Sequence, residues 1–168
     1  MTSSVQVRAS TPEDASAIAA IYAPHVLQGT ASFEVEAPNA EEILQRRAAV
    51  LELGLPYLVA EISGEVAGYA YAGRFRPRAA YRFTVENSVY VALQFQRHGV
   101  ARLLMQQLIE LCADAGMREM IAVIADPSAS TASVALHSSL GFDEVGVLRG
   151  VGEKFGRAID VLMMQKSL

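Results

Sequence analysis

Hydrophobic residues follow two different spacings along the chain, and these spacings predict where strands and helices lie. Apolar residues three or four positions apart are typical of one helix face, whereas short runs of β-branched and aromatic residues favour strands. The predicted strands are Val5–Ala9, Tyr57–Ile62, Val66–Phe75, Val85–Leu93, Glu119–Ala125, Phe142–Leu148 and Ile159–Gln165. The predicted helices run from Pro12 to between His25 and Gly29, over Glu41–Leu53, across Leu103–Leu111 and over Thr131–Leu140.

Turn and cap residues separate these elements. Thr11 before Pro12 predicts a helix start, because a hydroxyl can cap free N–H groups and proline fits the first turn. Ser63-Gly64 predicts a hairpin turn, and the glycine-rich segment Gly150–Gly156 is predicted to join the last two strands. The order βααβββαβαββ predicts an α/β protein with a central mixed sheet of about seven strands and helices on both faces.

Composition indicates a globular protein with one core. The 168 residues suit a single domain, predicted to span residues 1–168, and 52% hydrophobic against 19% charged residues excludes a disordered tail. A net charge of -4 argues against a general nucleic-acid-binding protein, so we expect no nucleic-acid partner.

The other compositional signals are absences. The single cysteine, Cys112, cannot form an internal disulfide, so a reducing, cytoplasmic compartment is expected. Its place in a helix pattern favours a core residue over a nucleophile. No signal peptide, membrane-spanning stretch or metal-ligand spacing is visible, and we therefore expect neither a membrane partner nor a metal.

The stretch from Thr84 to Leu108 contains a predicted strand, a glycine-containing loop and a long helix. Such a loop presents unpaired N–H groups at the positive end of the helix dipole, where phosphate binds well. The stretch therefore predicts a site for a pyrophosphate-bearing cofactor. The alternative is an ordinary helix N-terminus in which the glycine only makes a turn.

Two motifs in this order of elements carry a resemblance to a known family. Gln96-x-x-Gly99-x-Ala101 resembles the pyrophosphate loop of the GNAT superfamily of N-acetyltransferases, and Leu136-His137-x-x-Leu140-Gly141-Phe142 is similar to a second signature of that superfamily. The first motif is weak alone, but its place between a strand and a helix makes the combination specific. The resemblance implies the GNAT fold and acetyl-CoA as cosubstrate.

Longer segments resemble one branch, the phosphinothricin and methionine-sulfoximine N-acetyltransferases. These segments are Ile21–Val26, Thr30–Glu34, Phe75–Val91 and Glu153–Val161. The resemblance implies acetylation of the α-amino group of a small amino-acid analogue by direct attack on the thioester. It also implies a homodimer, because members of this branch are commonly dimers.

The branch resemblance implies a set of cofactor-binding residues. They are Val89, Tyr90, Val91, Arg97, His98, Gly99, Val100, Ala101, Arg102, Ser130 and Ser133. The strand residues are expected to use their backbone, with Val91 or a neighbour giving an N–H to the thioester oxygen. The branch usually has glycine in place of Arg97 and asparagine in place of Ser130; we expect the loop to keep its shape if the φ of Arg97 is negative.

Glu86 and His137 are the predicted catalytic residues. The match of Thr84–Val91 to the branch implies that Glu86 is the base, since a carboxylate in a partly dry cleft has a raised pKa and can take the proton of the substrate ammonium group. The alternative is an exposed acid paired with an arginine. His137 occupies the position where many superfamily members have a tyrosine that protonates the departing thiolate; the alternative is a histidine hydrogen-bonded in place.

Substrate recognition is predicted at two segments. Guanidinium groups match carboxylate and phosphinate oxygens, so Arg76 and Arg78 are expected to bind the substrate, although a solvated loop is the alternative. Phe33 and Glu34 are expected to close over the amino acid. Lys154 and Arg157 are further candidates, from this subunit or a partner.

Two rival functions stay open at this point. One is acetylation of another small amine or of a protein N-terminus. The other is a non-catalytic domain that binds acyl-CoA as a sensor. A sensor needs neither Glu86 nor His137, so these two residues discriminate between the enzyme and the binding domain.

Overall fold

The structure is a computed structural model and describes residues 4–168, in which the elements follow the predicted order βααβββαβαββ. The strands are β1 (Gln6–Ala9), β2 (Tyr57–Ile62), β3 (Glu65–Arg74), β4 (Thr84–Val91), β5 (Glu119–Ala125), β6 (Asp143–Lys154) and β7 (Arg157–Ser167). The α-helices are α1 (Ala15–Leu27), α2 (Ala40–Glu52), α3 (Val100–Asp114) and α4 (Thr131–Ser139).

The strands of the described range form one sheet in the order β1-β2-β3-β4-β5-β7-β6. Every neighbouring pair is antiparallel except β4 and β5, which run parallel. The predicted mixed sheet of seven strands is therefore confirmed. Its only parallel pair lies near the middle, where α3 provides the crossover connection that parallel strands require.

Helices cover both faces of the sheet, as the sequence predicted. Successive residues of a strand face opposite sides of the sheet, so Gly68 and Tyr69 of β3 contact different layers of the protein. A side chain at Gly68 would meet Val100 and Leu104 of α3, at 3.0 and 3.3 Å. Tyr69 packs on Tyr90, which in turn contacts Tyr22 of α1. Thus α3 covers one face and α1 the other.

The prediction for the last two strands was wrong in one respect. The glycine-rich segment is not a connection, because β6 continues through Gly152 to Lys154 and pairs with β7 as far as Lys154↔Arg157. The turn between the strands is only Phe155-Gly156, both with positive φ. A register shift between Leu148 and Gly152 absorbs the glycines into the ladder, which composition alone did not indicate.

Candidate active site

The sheet opens between β4 and β5. The two strands pair at three positions only, Thr84, Val85 and Glu86. Beyond Glu86, β4 continues beside β3 while β5 continues beside β7, so the two strands diverge. The divergence leaves a cavity of about 490 Å³ whose lining includes Glu86–Val91 of β4 and Ala122–Ala125 of β5. Glu86 therefore lies at the apex of this cleft.

Backbone groups of β4 face the cleft at every second residue. The bonds Phe75 N–H to Thr84 O and Ala92 N–H to Ala67 O fix which residues of β4 exchange hydrogen bonds with β3. Because this exchange alternates along an antiparallel pair, the even-numbered residues bond to β3. Val89 and Val91 therefore direct their N–H and C=O groups toward the cleft.

Tyr90 contributes in a different way. Its backbone lies opposite Tyr69 of β3, and its ring lines the cavity while contacting Tyr22 and His25 with ring centroids 4.9 and 5.1 Å apart. His25 also lines the cavity, and its Nε2 lies 3.4 Å from the carbonyl oxygen of Val91. The alignment of α1 with β4 brings His25 here, and no local sequence pattern indicates it.

The predicted phosphate loop follows directly after Gln96, which lines the end of the cavity. Gly99 has a φ of 78° and precedes α3, whose first-turn N–H groups at Val100, Ala101 and Arg102 have no acceptor within the helix. A side chain at Gly99 would meet no atom within 4 Å among the described residues, so the surface beside it is open. The helix N-terminus is thus accessible to an anion.

The condition that Arg97 have a negative φ is not met. Its φ is 66°, in the left-handed region that glycine enters without a steric penalty. The branch that this chain resembles usually has glycine at this position, which fits the observed conformation. The loop keeps its turn although an arginine occupies it, and the Arg97 side chain is exposed.

The remaining loop side chains make local contacts. His98 Nδ1 lies 2.9 Å from the carbonyl oxygen of Gln96, and Arg102 donates to Ser139 Oγ of α4 at 3.0 Å. Within residues 4–168, none of the positions Arg97–Arg102 lines the cavity itself. They form a second region, adjoining the cavity at the N-terminus of α3.

Glu86 is partly buried and has no ion-pair or hydrogen-bond partner within residues 4–168. Burial raises the pKa of its carboxyl group above the usual range. Glu86 therefore does not pair with an arginine in the described part of the chain, contrary to the alternative considered for it. A carboxylate that is partly dry, unpaired and exposed to a cavity can accept a proton from a bound group.

His137 is buried, with 2% of its surface exposed, and both ring nitrogens face oxygen atoms. Nδ1 lies 2.8 Å from the carbonyl oxygen of Ser133, and Nε2 lies 3.0 Å from Asn87 Oδ1. Asn87 Nδ2 donates to the carbonyl oxygen of Ile121, which directs the amide oxygen at the imidazole. Burial lowers the pKa of His137. His137 lines the cavity while being held in place by these contacts.

Asn87 is a site residue that the sequence reasoning missed. It is buried, lines the cavity, and lies on the sheet face opposite to its neighbour Glu86. Its partner His137 is 50 residues away, so no local pattern signals the contact. The available signal was an amide at a strand position that alternates with the apolar residues Val85 and Val89.

Ser130 and Ser133 lie on the α4 side of the cavity. Ser130 Oγ donates to the carbonyl oxygen of Ala125 at 2.8 Å, which fixes the turn between β5 and α4. Ser133 Oγ lies 3.4 Å from His137 Nδ1. Both hydroxyl groups therefore make contacts inside the protein as well as lining the cavity.

The loop between α1 and α2 forms the opposite wall. Ala31, Ser32 and Phe33 line the cavity, as predicted for Phe33. Glu34 does not line it, because its carboxylate binds Arg46 at 2.6 Å and accepts from the hydroxyl of Tyr22. The Arg46 guanidinium lowers the pKa of Glu34. Glu34 thus anchors the loop instead of facing the cavity.

The cationic candidates are placed less favourably. Within the described chain, neither Arg76 nor Arg78 lines the cavity, and Arg76 stacks on Phe75 with 5.0 Å between guanidinium carbon and ring centroid. Lys154 is buried and donates to two backbone carbonyl groups, and Arg157 pairs with Asp126. The last two cations therefore have structural partners.

Three other features bear on the site. Cys112 is fully buried and burial raises its pKa to about 12, so its predicted place in the core is confirmed. Residues 4–168 contain no group of three or more side chains arranged to hold a metal ion. No helix in the described range is long and apolar enough to cross a membrane.

Comparisons with known proteins agree with this geometry. The chain is 51% identical over 162 residues to the phosphinothricin N-acetyltransferase of Alcaligenes faecalis, covering 96% of this chain and 82% of that protein. It is 38% identical to the L-methionine sulfoximine/L-methionine sulfone acetyltransferase of Salmonella typhimurium, covering 96% of this chain and 94% of that protein.

A solved structure gives the same result. The phosphinothricin acetyltransferase (Pat) of Sinorhizobium meliloti, solved in complex with acetyl-CoA, superposes with a TM-score of 0.94 at 39% identity, covering 100% of this chain and 89% of that chain. Residues 7–163 match the family described as the acetyltransferase (GNAT) domain. The predicted fold and enzyme class are confirmed, and the chain belongs to the GNAT acetyltransferase family.

Proposed function

We propose that this protein transfers an acetyl group from acetyl-CoA to the α-amino group of a small amino-acid analogue of the phosphinothricin or methionine sulfoximine type. The observation that carries the proposal is the Glu86 carboxyl group, partly buried, unpaired and of raised pKa, at the apex of the cleft. The identities to named enzymes that act on such substrates support the choice of substrate class.

The cosubstrate fits two neighbouring features of this chain. Acetyl-CoA supplies an activated acetyl thioester. The cleft-facing N–H and C=O groups of Val89 and the N–H group of Val91 match the amide groups of an extended pantetheine chain lying along the edge of β4. The loop Arg97–Arg102 matches its pyrophosphate, because Gly99 leaves open space beside the N–H groups that begin α3.

Glu86 acts as the base in this proposal. A free amino group is largely protonated at neutral pH and must lose a proton before it can attack a carbonyl carbon. Glu86 takes that proton, and its raised pKa brings its basicity closer to the working pH. The Val91 N–H, directed at the cleft, donates to the thioester oxygen as negative charge develops there.

Other residues position the reactants. His137 lies on the opposite sheet face from Glu86, and its neutral imidazole would donate an Nε2–H hydrogen bond to the departing thiolate, exchanging its contact with Asn87 for one with sulfur. The thiolate takes its proton from the amine nitrogen, which must lose a second proton when the amide forms. Phe33 encloses the substrate from the loop side. Arg76 and Arg78 follow β3, whose Gly73 pairs with Glu86, and would bind the acidic groups of the substrate at the cleft entrance.

Residues 1–168 act as one domain in this proposal, and two such chains form a cytoplasmic homodimer. β6 is an edge strand of the sheet, and an exposed edge tends to pair with another chain. Its exposed apolar residues are Val145, Val147, Leu148 and Val151. A partner chain covering β6 would remove this apolar surface from water.

The proposal is tested by measuring thiol release from acetyl-CoA with phosphinothricin, methionine sulfoximine, other amino acids and a peptide with a free N-terminus. We expect turnover with the two analogues and little with the peptide. Turnover only with the peptide would overturn the substrate class. Tight binding of acetyl-CoA with no release for any amine would overturn the enzyme itself in favour of a sensor.

A further inference from the structure

We propose that Gly152 of β6 is a specificity-determining residue, because it provides the space in which the Phe33 ring sits against the cavity. This inference rests on the proposed function only in taking a small amino acid as the substrate. Gly152 does not itself line the cavity, and it acts through the position of Phe33.

The contact between the two residues is close. A β-carbon placed on Gly152 would lie 2.2 Å from Phe33 Cζ, 2.4 Å from Cε2 and 2.8 Å from Cε1. These distances are far below a normal contact between carbon atoms, for which the optimum is about 3.5–4.0 Å. The ring therefore rests directly on the backbone of Gly152, and no larger residue fits there without moving it.

The backbone gives no other reason for a glycine at this position. Gly152 has no positive φ, in contrast to Gly150 two residues earlier, whose φ is 62°. Gly152 pairs with Ile159 in the ladder between β6 and β7, a setting that any residue can adopt. Gly146 of the same strand also lacks a positive φ, and a side chain there would meet no atom within 4 Å in the described chain.

The loop that carries Phe33 is held before the ring at Thr30 and Ser32 and after it by the ion pair of Glu34 with Arg46. Lys154 Nζ donates to the carbonyl oxygen of Ser32 at 2.8 Å, and the hydroxyls of Tyr22 and Ser32 are 2.6 Å apart. Thr30 Oγ1 donates to Asp126 Oδ2 at 2.7 Å. A side chain at position 152 would therefore displace the ring and leave the loop backbone in place.

The ring separates Gly152 from the cavity, since Phe33 lines the cavity and Gly152 does not. Pushing the ring away from Gly152 changes the wall against which the substrate side chain packs. The cosubstrate features at Val89, Val91 and the N-terminus of α3 are on other elements. A change at Gly152 should therefore alter the choice of amino acid without altering the use of acetyl-CoA.

The test compares Gly152→Ala with Gly146→Ala, a matched substitution in the same strand. Across amino acids of increasing side-chain length, Gly152→Ala should raise KM for the longest ones by about tenfold while KM for acetyl-CoA stays within about twofold. Gly146→Ala should leave the preference among amino acids unchanged, because a side chain at position 146 does not reach Phe33. In a Phe33→Ala background, Gly152→Ala should no longer change the preference. An unchanged preference in the single variant, or the same change without the ring, would overturn the inference.

A second measurement needs no substrate. Gly152→Ala should lower the melting temperature by about 3–8 °C when Phe33 is present, and much less when Phe33 is alanine. Equal losses in both backgrounds would overturn the contact. If this coupling is found but the wild type acetylates no amino acid, the proposed function fails, while the contact between Gly152 and the Phe33 ring is confirmed.

Discussion

Glu86 and His137, two titratable groups that flank the cleft, differ in how the protein holds them. Glu86, on one face of the sheet, has no polar partner among residues 4–168, and burial raises its pKa. His137, on the other face, has both ring nitrogens beside oxygen atoms, and burial lowers its pKa. In each case desolvation favours the neutral form, but only His137 has contacts that fix its orientation.

This difference separates a group ready to exchange a proton from one that must first give up a contact. Glu86 can accept a proton from any amine placed beside it, because nothing else competes for its oxygens. His137 must release Asn87 before Nε2 can reach another atom. Cavity lining alone therefore does not identify a catalytic group, because the contacts that the side chain already makes matter as much.

The largest effect is expected for Glu86→Gln, which keeps the shape and removes the base. We expect kcat to fall about 10²–10⁴-fold, since that is the usual contribution of a general base. The control is Glu110→Gln, an exposed glutamate of α3, which should be as active as the wild type. Steady-state kinetics measure this effect. Full activity in Glu86→Gln would show that Glu86 is not the base.

The pH dependence of the rate tests whether the ionised carboxylate of Glu86 takes part in the reaction. Only the ionised Glu86 can accept a proton, so kcat/KM should fall about tenfold per unit as pH drops below its pKa. Because burial raises that pKa, the fall should begin at a higher pH than for an exposed glutamate, whose pKa is about 4.3. Rate profiles of the wild type and Glu86→Gln should differ by this limb.

The same pKa has a consequence for stability with the opposite sign from that of a paired carboxylate. The fold disfavours the charged form of Glu86, so stability decreases as pH rises through the raised pKa. Glu86→Gln should lack this decrease in melting experiments. A pH profile identical to that of the wild type would show that the carboxyl group is not desolvated.

His137→Ala should act mainly on stability. It removes a buried ring that packs edge-on against Phe142 and leaves Asn87 Oδ1 without its partner, at a cost of about 2–4 kcal/mol. We expect kcat to fall only about tenfold, less than the usual 10²–10⁴-fold contribution of a general acid or base, because water can replace the hydrogen bond from Nε2 to sulfur. If kcat of the folded His137→Ala variant fell as far as that of Glu86→Gln, His137 would contribute as much to the reaction as Glu86.

The smallest effect is expected for Arg97→Gly. Relief of the left-handed conformation is opposed by the greater freedom of glycine in the unfolded chain, so stability should rise by at most about 1 kcal/mol. KM for acetyl-CoA should stay within about twofold, because the proposal assigns only the backbone to the cosubstrate. A large rise in KM would show that the Arg97 side chain takes part in binding.

The sequence predicted those features that depend on local pattern. The order of elements, the strand carrying Glu86 and the glycine-containing loop before α3 follow from residue type and spacing. The resemblance to a family added the role of β4, and the break in pairing beyond Glu86 agrees with it. These features need no knowledge of which distant residues meet.

The features that sequence reasoning missed depend on distant contacts. Glu34 was expected to face the substrate, but Arg46 from the next helix binds it. Asn87 and His137 lie 50 residues apart, and their contact requires β4 and α4 to be placed first. The extension of β6 to Lys154 depends on its register with β7. Spacing along one chain segment cannot indicate such pairs.

The break between β4 and β5 also has a mechanical meaning. Three paired residues join one half of the sheet, β1–β4, to the other half, β5–β7. A molecule that bonds along the exposed edge of β4 and fills the gap would act as a missing strand and brace the two halves. The free energy of unfolding should therefore rise with the logarithm of the free cosubstrate concentration once this exceeds Kd. Resistance to heat and proteolysis should rise with it. The concentration of acetyl-CoA in the cell would in this way affect the lifetime of the folded enzyme.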